Sequence, residues 1–198
     1  MRNRIIGWGL LSTGVILFGA TLVHATAYAP ERQQPPPQYS AAAVAVPAAR
    51  VPSRLRIPAL GIDAAVQAVG QNSAGNMAAP SNYTDVGWYK YGPAPGATGS
   101  AVIDGHLDNG LALPGVFKHL DAIQKGDVIE VTDVDGVVRR FVVDRVASYE
   151  PATAPTKEIF AKTGPPRLVL ITCAGEWVPT KKTYDTRLIV YANLASTL

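Results

Sequence analysis

Past its N-terminal arm, the chain has short hydrophobic runs that turn residues separate. Residues 54–57 alternate polar and apolar side chains, as a half-buried β-strand does. The runs 128–132 and 137–146 flank the pair Asp135-Gly136, which is a strong signal for a β-hairpin. Many short strands with few helical periods are typical of all-β folds. The pattern therefore predicts a mostly β domain built as a closed or nearly closed β-barrel.

Two segments have the spacing of short helices. Phe117, Leu120 and Ile123 lie three residues apart, which places them on one face of a helix. Residues 156–162 are a second candidate. We therefore expect one or two short helices in the domain, and strands elsewhere.

Two apolar runs near the C terminus, 168–171 and 188–192, predict a final pair of strands. The first run delivers Thr172 and Cys173 at its end, and Arg187 begins the second. If these strands lie side by side, the thiol at the end of the first comes near the guanidinium at the start of the second. Such a pairing is more specific than a lone cysteine.

Residues 1–29 have the composition of a membrane segment. After Arg2 and Arg4 no formal charge occurs before Glu31. About 20 apolar residues span the hydrocarbon core of a bilayer, and cations on the N-terminal side place that end in the cytoplasm. We expect an N-terminal transmembrane helix that anchors the chain and leaves the rest outside the cell. The alternative is a signal peptide, cleaved at one of two small-x-small sites before residue 30.

Residues 30–52 form a linker rich in proline and alanine, with three consecutive prolines starting at Pro35. Proline lacks an amide donor and favours extended polyproline conformation, and few side chains here could fill a core. At about 3.1 Å per residue, the linker could hold the following domain up to roughly 60 to 70 Å from the membrane. Residues 53–198 then form one domain.

The formal charge of +3 comes from the N-terminal part of the chain. Residues 1–50 contain four cations and one anion, whereas residues 51–198 contain fourteen of each. A nucleic-acid-binding domain presents a clustered basic face. The balance of charge in the domain therefore argues against a nucleic-acid partner.

Cys173 is the only cysteine in the chain. A single cysteine excludes an intrachain disulfide and a cysteine-built zinc site, and we predict neither a metal nor a cofactor. A lone cysteine at the end of an apolar strand is most often a small buried hydrophobe. Outside the cytoplasm, however, an idle thiol is exposed to oxidation, which favours a thiol that has a function. A nucleophilic cysteine needs a base, or a cation that favours the thiolate.

Three histidines could supply that base. His24 lies in the predicted membrane segment and His119 in a predicted helix, which leaves His106 at the exit of an apolar run. A structural or surface histidine is the alternative. Asp108 could orient the imidazole or could be a turn residue. Arg187 could stabilise the oxyanion that forms when a thiolate attacks an amide, or could be an ordinary surface cation.

In this arrangement the residues resemble the sortases, the cysteine transpeptidases of Gram-positive cell surfaces. The resemblance extends over residues 53–194. Its motifs, in chain order, are RLRIPALGID at 54–63, GNMAAP at 75–80, VGWY at 86–89, GHLD at 105–108 and ITCAG at 171–175. The second and third motifs look most like the class F sortases of actinobacteria. Ile171 stands where many relatives have threonine, and the acidic calcium-binding loop of some class A sortases has no counterpart, which argues against a calcium requirement.

The resemblance implies an eight-stranded β-barrel and a reaction. Cys173 would attack the Thr–Gly bond of an LPxTG-like sorting signal and form a thioacyl enzyme. His106 would protonate the leaving amine and then deprotonate the incoming one, while Arg187 would position the substrate and stabilise the oxyanion. Thr172 would line the substrate groove. The partners would be proteins that carry the signal and an amine of a peptidoglycan precursor or of a pilin.

Two other functions stay open at this point. One is a thiol hydrolase that releases its product to water. The other is a non-catalytic β-barrel, tethered to the membrane, that binds a wall component or a partner protein. In the leading interpretation the protein crosses the cell membrane once, with its N terminus in the cytoplasm and its catalytic domain outside.

Overall fold

A computed structural model describes residues 51–109 and 111–195 of the protein. One short α-helix, α1 (Thr156–Ile159), accompanies eight strands. The strands are β1 (Pro52–Ile57), β2 (Ile62–Val69), β3 (Val86–Tyr89), β4 (Ser100–Gly105), β5 (Val128–Asp133), β6 (Val138–Tyr149), β7 (Arg167–Val178) and β8 (Thr183–Leu194).

The predicted membrane segment, residues 1–29, lies outside the described residues, as does the predicted linker up to residue 50. Within the described ranges, no helix has the length and the apolar character needed to cross a membrane.

The strands close into one barrel in the order β1-β2-β3-β4-β7-β8-β6-β5, and β5 pairs back to β1. The pairs β2–β3 and β4–β7 are parallel, and the other neighbours are antiparallel. Parallel neighbours need a long crossover connection, and the one from β4 to β7 contains β5, β6 and α1. This crossover places β4 beside β7. The prediction of a closed β-barrel is confirmed.

Side chains that alternate along each strand fill the barrel and cover part of its outer wall. On β7, Leu168 and Leu170 belong to the large interior cluster, whereas Val169 belongs to a second cluster outside the wall. Ile159 of α1 and Tyr191 of β8 pack in that outer cluster. The strands β4, β7 and β8 are therefore buried on both faces over part of their length, which gives the site a firm support.

The predicted hairpin is β5–β6, with Val128 opposite Val142 and Thr132 opposite Val138. Its turn is held by the buried carboxylate of Asp133, which accepts hydrogen bonds from the amides of Asp135 and Val137.

The two predicted helices are present in shorter form. Leu120–Ala122 is a 3₁₀ helix, and Phe117, Leu120 and Ile123 are all buried in the barrel core, as their spacing predicted. The second segment, predicted at residues 156–162, forms helix only over α1.

The ends of β7 and β8 differ from the sequence prediction. We predicted that β7 would stop at Cys173 and that β8 would begin at Arg187, because the apolar runs end there. Instead β7 continues to Val178 and β8 begins at Thr183, with an irregularity in the pairing between Ala174 and Trp177. The two strands stay hydrogen-bonded after their side chains have become largely polar or exposed, because ladder pairing between neighbours does not require burial on either face.

Candidate active site

Cys173 and Arg187 lie directly opposite each other on β7 and β8. Directly opposed residues of an antiparallel pair project their side chains to the same face, with Cβ atoms about 4.5–5.5 Å apart. Cys173 continues the outer-face alternation of Val169 on β7, and Arg187 continues that of Ile189 on β8. The thiol and the guanidinium therefore start from neighbouring positions on the outer face of the barrel wall.

His106 follows the last residue of β4, which runs parallel to β7. The strands pair as far as Asp104. One position further on, the hydroxyl of Thr172 donates a hydrogen bond of 2.9 Å to the carbonyl oxygen of Gly105. The two chains are thus still in contact at Gly105 and Thr172, and His106 and Cys173 are the next residues of the two chains.

Thr172 is 3% exposed, and its side chain alternates with that of Cys173 towards the barrel interior. Its hydroxyl is engaged with β4 through the bond to Gly105. This residue therefore holds the ends of the two central strands together. Its expected contact with a substrate stays a prediction.

The imidazole of His106 is held by two groups from the β2–β3 connection. Its Nε2 lies 3.0 Å from the carbonyl oxygen of Pro80, and the ring of Tyr83 packs against it at 4.8 Å between centroids. A carbonyl oxygen can only accept a hydrogen bond, so Nε2 carries the proton in this contact and a neutral ring has its lone pair on Nδ1. The backbone is held as well, because the Phe117 amide donates to the His106 carbonyl oxygen.

The guanidinium of Arg187 is fixed by its own strand. Nη1 donates to the carbonyl oxygens of Tyr184 at 3.0 Å and Thr186 at 2.9 Å, and Nη2 donates to the hydroxyl of Thr183 at 2.9 Å. These contacts orient the planar group without neutralising its charge. They occupy three of the five or so N–H donors that the group possesses.

The free thiol of Cys173 has a raised pKa. Burial is the main cause, because removal from water disfavours the thiolate, and the carboxylates of Asp104 and Asp108 act in the same direction. The positive charge of Arg187 opposes them by lowering the pKa of the thiol. The resting cysteine is therefore a neutral thiol at physiological pH, and it needs a base to become a nucleophile.

Residues 55–195 match the family profile described as Sortase domain. The chain belongs to the sortase family. Sortases are generally cysteine transpeptidases, and this chain has a free thiol opposite an arginine on the paired strand.

Solved sortases share the fold of this one. Sortase A from Corynebacterium diphtheriae, lid mutant, is 22% identical, with a TM-score of 0.58 over 75% of this chain and 72% of that one. Sortase C of Streptococcus pneumoniae is 21% identical, with a TM-score of 0.55 over 75% and 70% of the two chains. Group B Streptococcus pilus island 1 sortase C2 is 19% identical, with a TM-score of 0.55 over 72% and 73%. No curated protein matched the sequence.

A cavity of about 340 Å³ lies on one side of Cys173 in this sortase. Its lining includes Leu107, Phe117, Lys118, His119, Cys173 and Leu188, and neither His106 nor Arg187 belongs to it. The cavity lies beside Cys173, and Thr172, the residue predicted to line a substrate groove, also lines it. We predicted His119 to lie in a helix and not to act as the base, and only the folded chain brings it into this lining.

Asp108 is bound to the β7–β8 hairpin. Its carboxylate accepts a hydrogen bond of 2.5 Å from the hydroxyl of Tyr184 and lies 3.7 Å from the ammonium of Lys118. The bond to Asp108 is the main reason that the pKa of Tyr184 is raised to about 12. Tyr184 was not among the residues predicted to form the site, because its position three residues before Arg187 is a weak signal.

The described residues hold no group of three or more His, Cys, Asp or Glu side chains placed to bind a metal ion.

Proposed function

We propose that this sortase is an extracytoplasmic cysteine transpeptidase. It cleaves an LPxTG-like sorting signal between Thr and Gly and joins the new C-terminal threonine to an amine of the cell wall or of a pilin. The observation that carries the proposal is the pairing of Cys173 with Arg187 within a sortase domain, and the position of His106 directly after Gly105, whose carbonyl oxygen is bonded to Thr172, supports it. The solved sortase C of S. pneumoniae, described for its pilin substrate specificity, has the same fold, which supports pilins as one substrate class.

In the first step, the Cys173 sulfur forms a bond to the threonine carbonyl carbon of the sorting signal. His106 accepts the thiol proton, because the raised pKa of Cys173 leaves the resting group protonated. The C–N bond between Thr and Gly then breaks, and the imidazolium gives its proton to the leaving glycine amine. The product is a thioester between Cys173 and threonine.

In the second step, the acceptor amine attacks the thioester carbonyl carbon. His106 takes the proton that the attacking amine loses, the C–S bond breaks, and the proton returns to the Cys173 sulfur. The new amide joins the two proteins, or a protein and a wall peptide. Protons balance over the cycle, and no atom changes its oxidation state, so the reaction needs no oxidant or reductant.

Arg187 stabilises the negative charge on the carbonyl oxygen in both steps. Its guanidinium is already oriented by Tyr184, Thr186 and Thr183, so it need not reorganise as the charge develops. About two of its N–H donors are left for the substrate oxygen after these three bonds. Its position opposite Cys173 places these donors on the side of the wall that the nucleophile uses.

We also propose the class F subgroup and a membrane anchor for this sortase. The motif at 75–80 ends at Pro80, whose carbonyl oxygen contacts His106, which supports a link between that motif and the site. The run of uncharged residues after Arg4 supports an anchor that leaves the sortase domain outside the cell.

The test uses the full chain in detergent with an LPxTG-type peptide, with and without an added amine, and mass spectrometry of the products. We expect an amide product from the parent and none from Cys173→Ala. His106→Ala and Arg187→Ala should each lower kcat/KM at least about a hundredfold. Full activity in Cys173→Ala would refute the proposal.

Two control variants test whether the loss of activity is specific to His106 and Arg187. Lys181→Ala removes an exposed cation at the tip of the same hairpin and should leave activity near that of the parent. His119→Ala removes the histidine of the neighbouring cavity. A greater loss in His119→Ala than in His106→Ala would show that the base was wrongly assigned. Acid product alone with every amine tried would favour a hydrolase.

A further inference from the structure

We propose that Tyr184 and Asp108 form a strap across the site that ties the segment carrying His106 to the hairpin carrying Cys173 and Arg187. Tyr184 is then a positioning residue for the reaction. The catalytic part of this inference rests on the proposed function, whereas the structural part concerns the thiol itself and can be tested without a substrate.

The strap joins two segments that are far apart in the chain. Tyr184 lies on β8 opposite Trp177, and its hydroxyl reaches Asp108 in the connection that leaves β4. Asp108 comes two residues after His106. The hydrogen bond therefore fixes the segment that begins at His106 to the outer part of the β7–β8 hairpin.

Tyr184 also holds the other side of the site. Its carbonyl oxygen accepts a hydrogen bond from Nη1 of Arg187. One residue thus contacts the guanidinium through its backbone and the histidine segment through its side chain. The Trp177 ring packs edge-to-face on the Tyr184 ring at 5.4 Å between centroids, which limits the ring to one orientation.

The hydrogen bond between Tyr184 and Asp108 is of a strong kind. The Asp108 side chain is 12% exposed, and a short hydrogen bond from a hydroxyl to a carboxylate in such a place is roughly twice as strong as one between neutral groups. Because the phenol has a raised pKa, it stays a donor throughout the physiological range. Lys118 balances part of the carboxylate charge from the other side.

The hydrogen bond between Tyr184 and Asp108 also influences the electrostatic environment of the Cys173 thiol. The charges that act on the pKa of the thiol are those of Arg187 on β8, Asp104 on β4 and Asp108 on the connection, and the cavity beside Cys173 is also lined by Lys118, His119 and Asp121. Asp108 raises the pKa of Cys173. The Tyr184 hydroxyl draws negative charge away from that carboxylate, so its removal should strengthen the effect of Asp108 on the thiol.

Two substitutions should therefore shift the pKa of the Cys173 thiol in opposite directions. Tyr184→Phe keeps the ring and removes the donor, and it should raise the pKa of Cys173. Asp108→Asn keeps an acceptor for the phenol and removes the charge, and it should lower the pKa of Cys173. Asp108→Asn removes a charge that acts on the thiol with or without the hydrogen bond, so the rise in Tyr184→Phe is the shift that tests the strap.

The measurement is the rate of iodoacetamide reaction at Cys173 in the full chain, as a function of pH. In the activity assay, Tyr184→Phe should lower kcat about tenfold with a smaller change in KM, because the strap orients groups that act in the transition state. Tyr89→Phe is the matched control: it removes a phenol bonded to Gln71 at the far end of β3, and both readouts should stay at parent values.

Each result decides the inference. An unchanged thiol pKa in both variants overturns it, as does a shift of the same sign in both. A lower melting temperature of Tyr184→Phe with an unchanged thiol pKa also overturns it, because the residue would then be structural only. If the parent chain forms no amide product, the proposed function fails, and the alkylation profiles still decide whether the strap exists.

Discussion

The two halves of the candidate site are built in different ways. Cys173 and Arg187 lie opposite each other on long paired strands, so their relative position follows from the register of the whole β7–β8 ladder. His106 lies just past the end of β4, outside that ladder, and its contacts include those with Pro80, Tyr83 and Phe117.

The difference indicates how each half should respond to change. In the β7–β8 ladder many hydrogen bonds fix each residue, so the loss of one has a small effect. In a connection outside a ladder, the loss of one contact can displace a residue. We therefore expect the histidine half to be more sensitive to substitutions around it than the cysteine–arginine half. Substitutions at Gly115, Arg187 and Thr172 test this comparison, and their expected effects decrease in that order.

Gly115→Ala should disrupt the histidine half alone. A Cβ at Gly115 would overlap the carbonyl oxygen of His106, so the contact between these two backbone segments must open, and we expect His106 to be displaced. A displacement of about 1 Å in a catalytic group can lower activity about a hundredfold, and we expect a loss of that size in kcat/KM. The iodoacetamide rate at Cys173 should stay close to that of the parent.

The control for this substitution is Gly70→Ala, where an added Cβ would have its nearest contact at 3.4 Å. It should retain activity. Equal losses of activity and of thiol reactivity in Gly115→Ala would contradict the separation of the two halves.

Arg187→Lys tests what the cysteine–arginine half contributes. Lysine keeps the positive charge and loses the planar fork, so kcat/KM should fall about tenfold or more while the pKa of the thiol changes little. Arg187→Gln removes the charge that lowers the pKa of Cys173, so the pKa should rise and the alkylation profile should move to higher pH. A thiol pKa that falls in Arg187→Gln would show that the assigned electrostatic role is wrong.

Thr172→Val tests the junction between the halves and should have the smallest effect. It removes the hydroxyl that bonds to the Gly105 carbonyl oxygen inside the barrel, which leaves a buried acceptor without that donor. We expect the free energy of unfolding to fall by about 1–2 kcal/mol, measured by denaturant titration. Thr172→Ser retains the hydroxyl and should recover part of the loss; no difference between the two variants would remove the hydrogen bond from the explanation.

Much of the barrel could be predicted because its signals are local. The hairpin β5–β6 followed from alternation around Asp135-Gly136, and the burial of Phe117, Leu120 and Ile123 followed from their spacing. The ends of β7 and β8 were predicted wrongly. A hydrophobic pattern indicates which residues are buried and not which are hydrogen-bonded to a neighbouring strand. These two strands remain paired beyond their last buried residues.

The contacts of Asp108 show where sequence reasoning stops. We predicted that Asp108 could orient His106 or act as a turn residue, and its carboxylate bonds to Tyr184, 76 residues away. No local pattern connects these two positions. They meet because β4 and β7 are neighbours in the barrel and the β7–β8 hairpin extends past the end of β4.

The sequence by itself determined which side chains are candidates for catalysis in this sortase and which strands they adjoin. It placed a single thiol, one histidine and one arginine next to apolar strand runs, because alternation and turn residues are properties of neighbouring positions. Only the tertiary structure decided that Cys173 faces Arg187, that His106 comes alongside, and that Tyr184 reaches Asp108. Strand register and crossover depend on how the whole interior packs, which no short segment specifies.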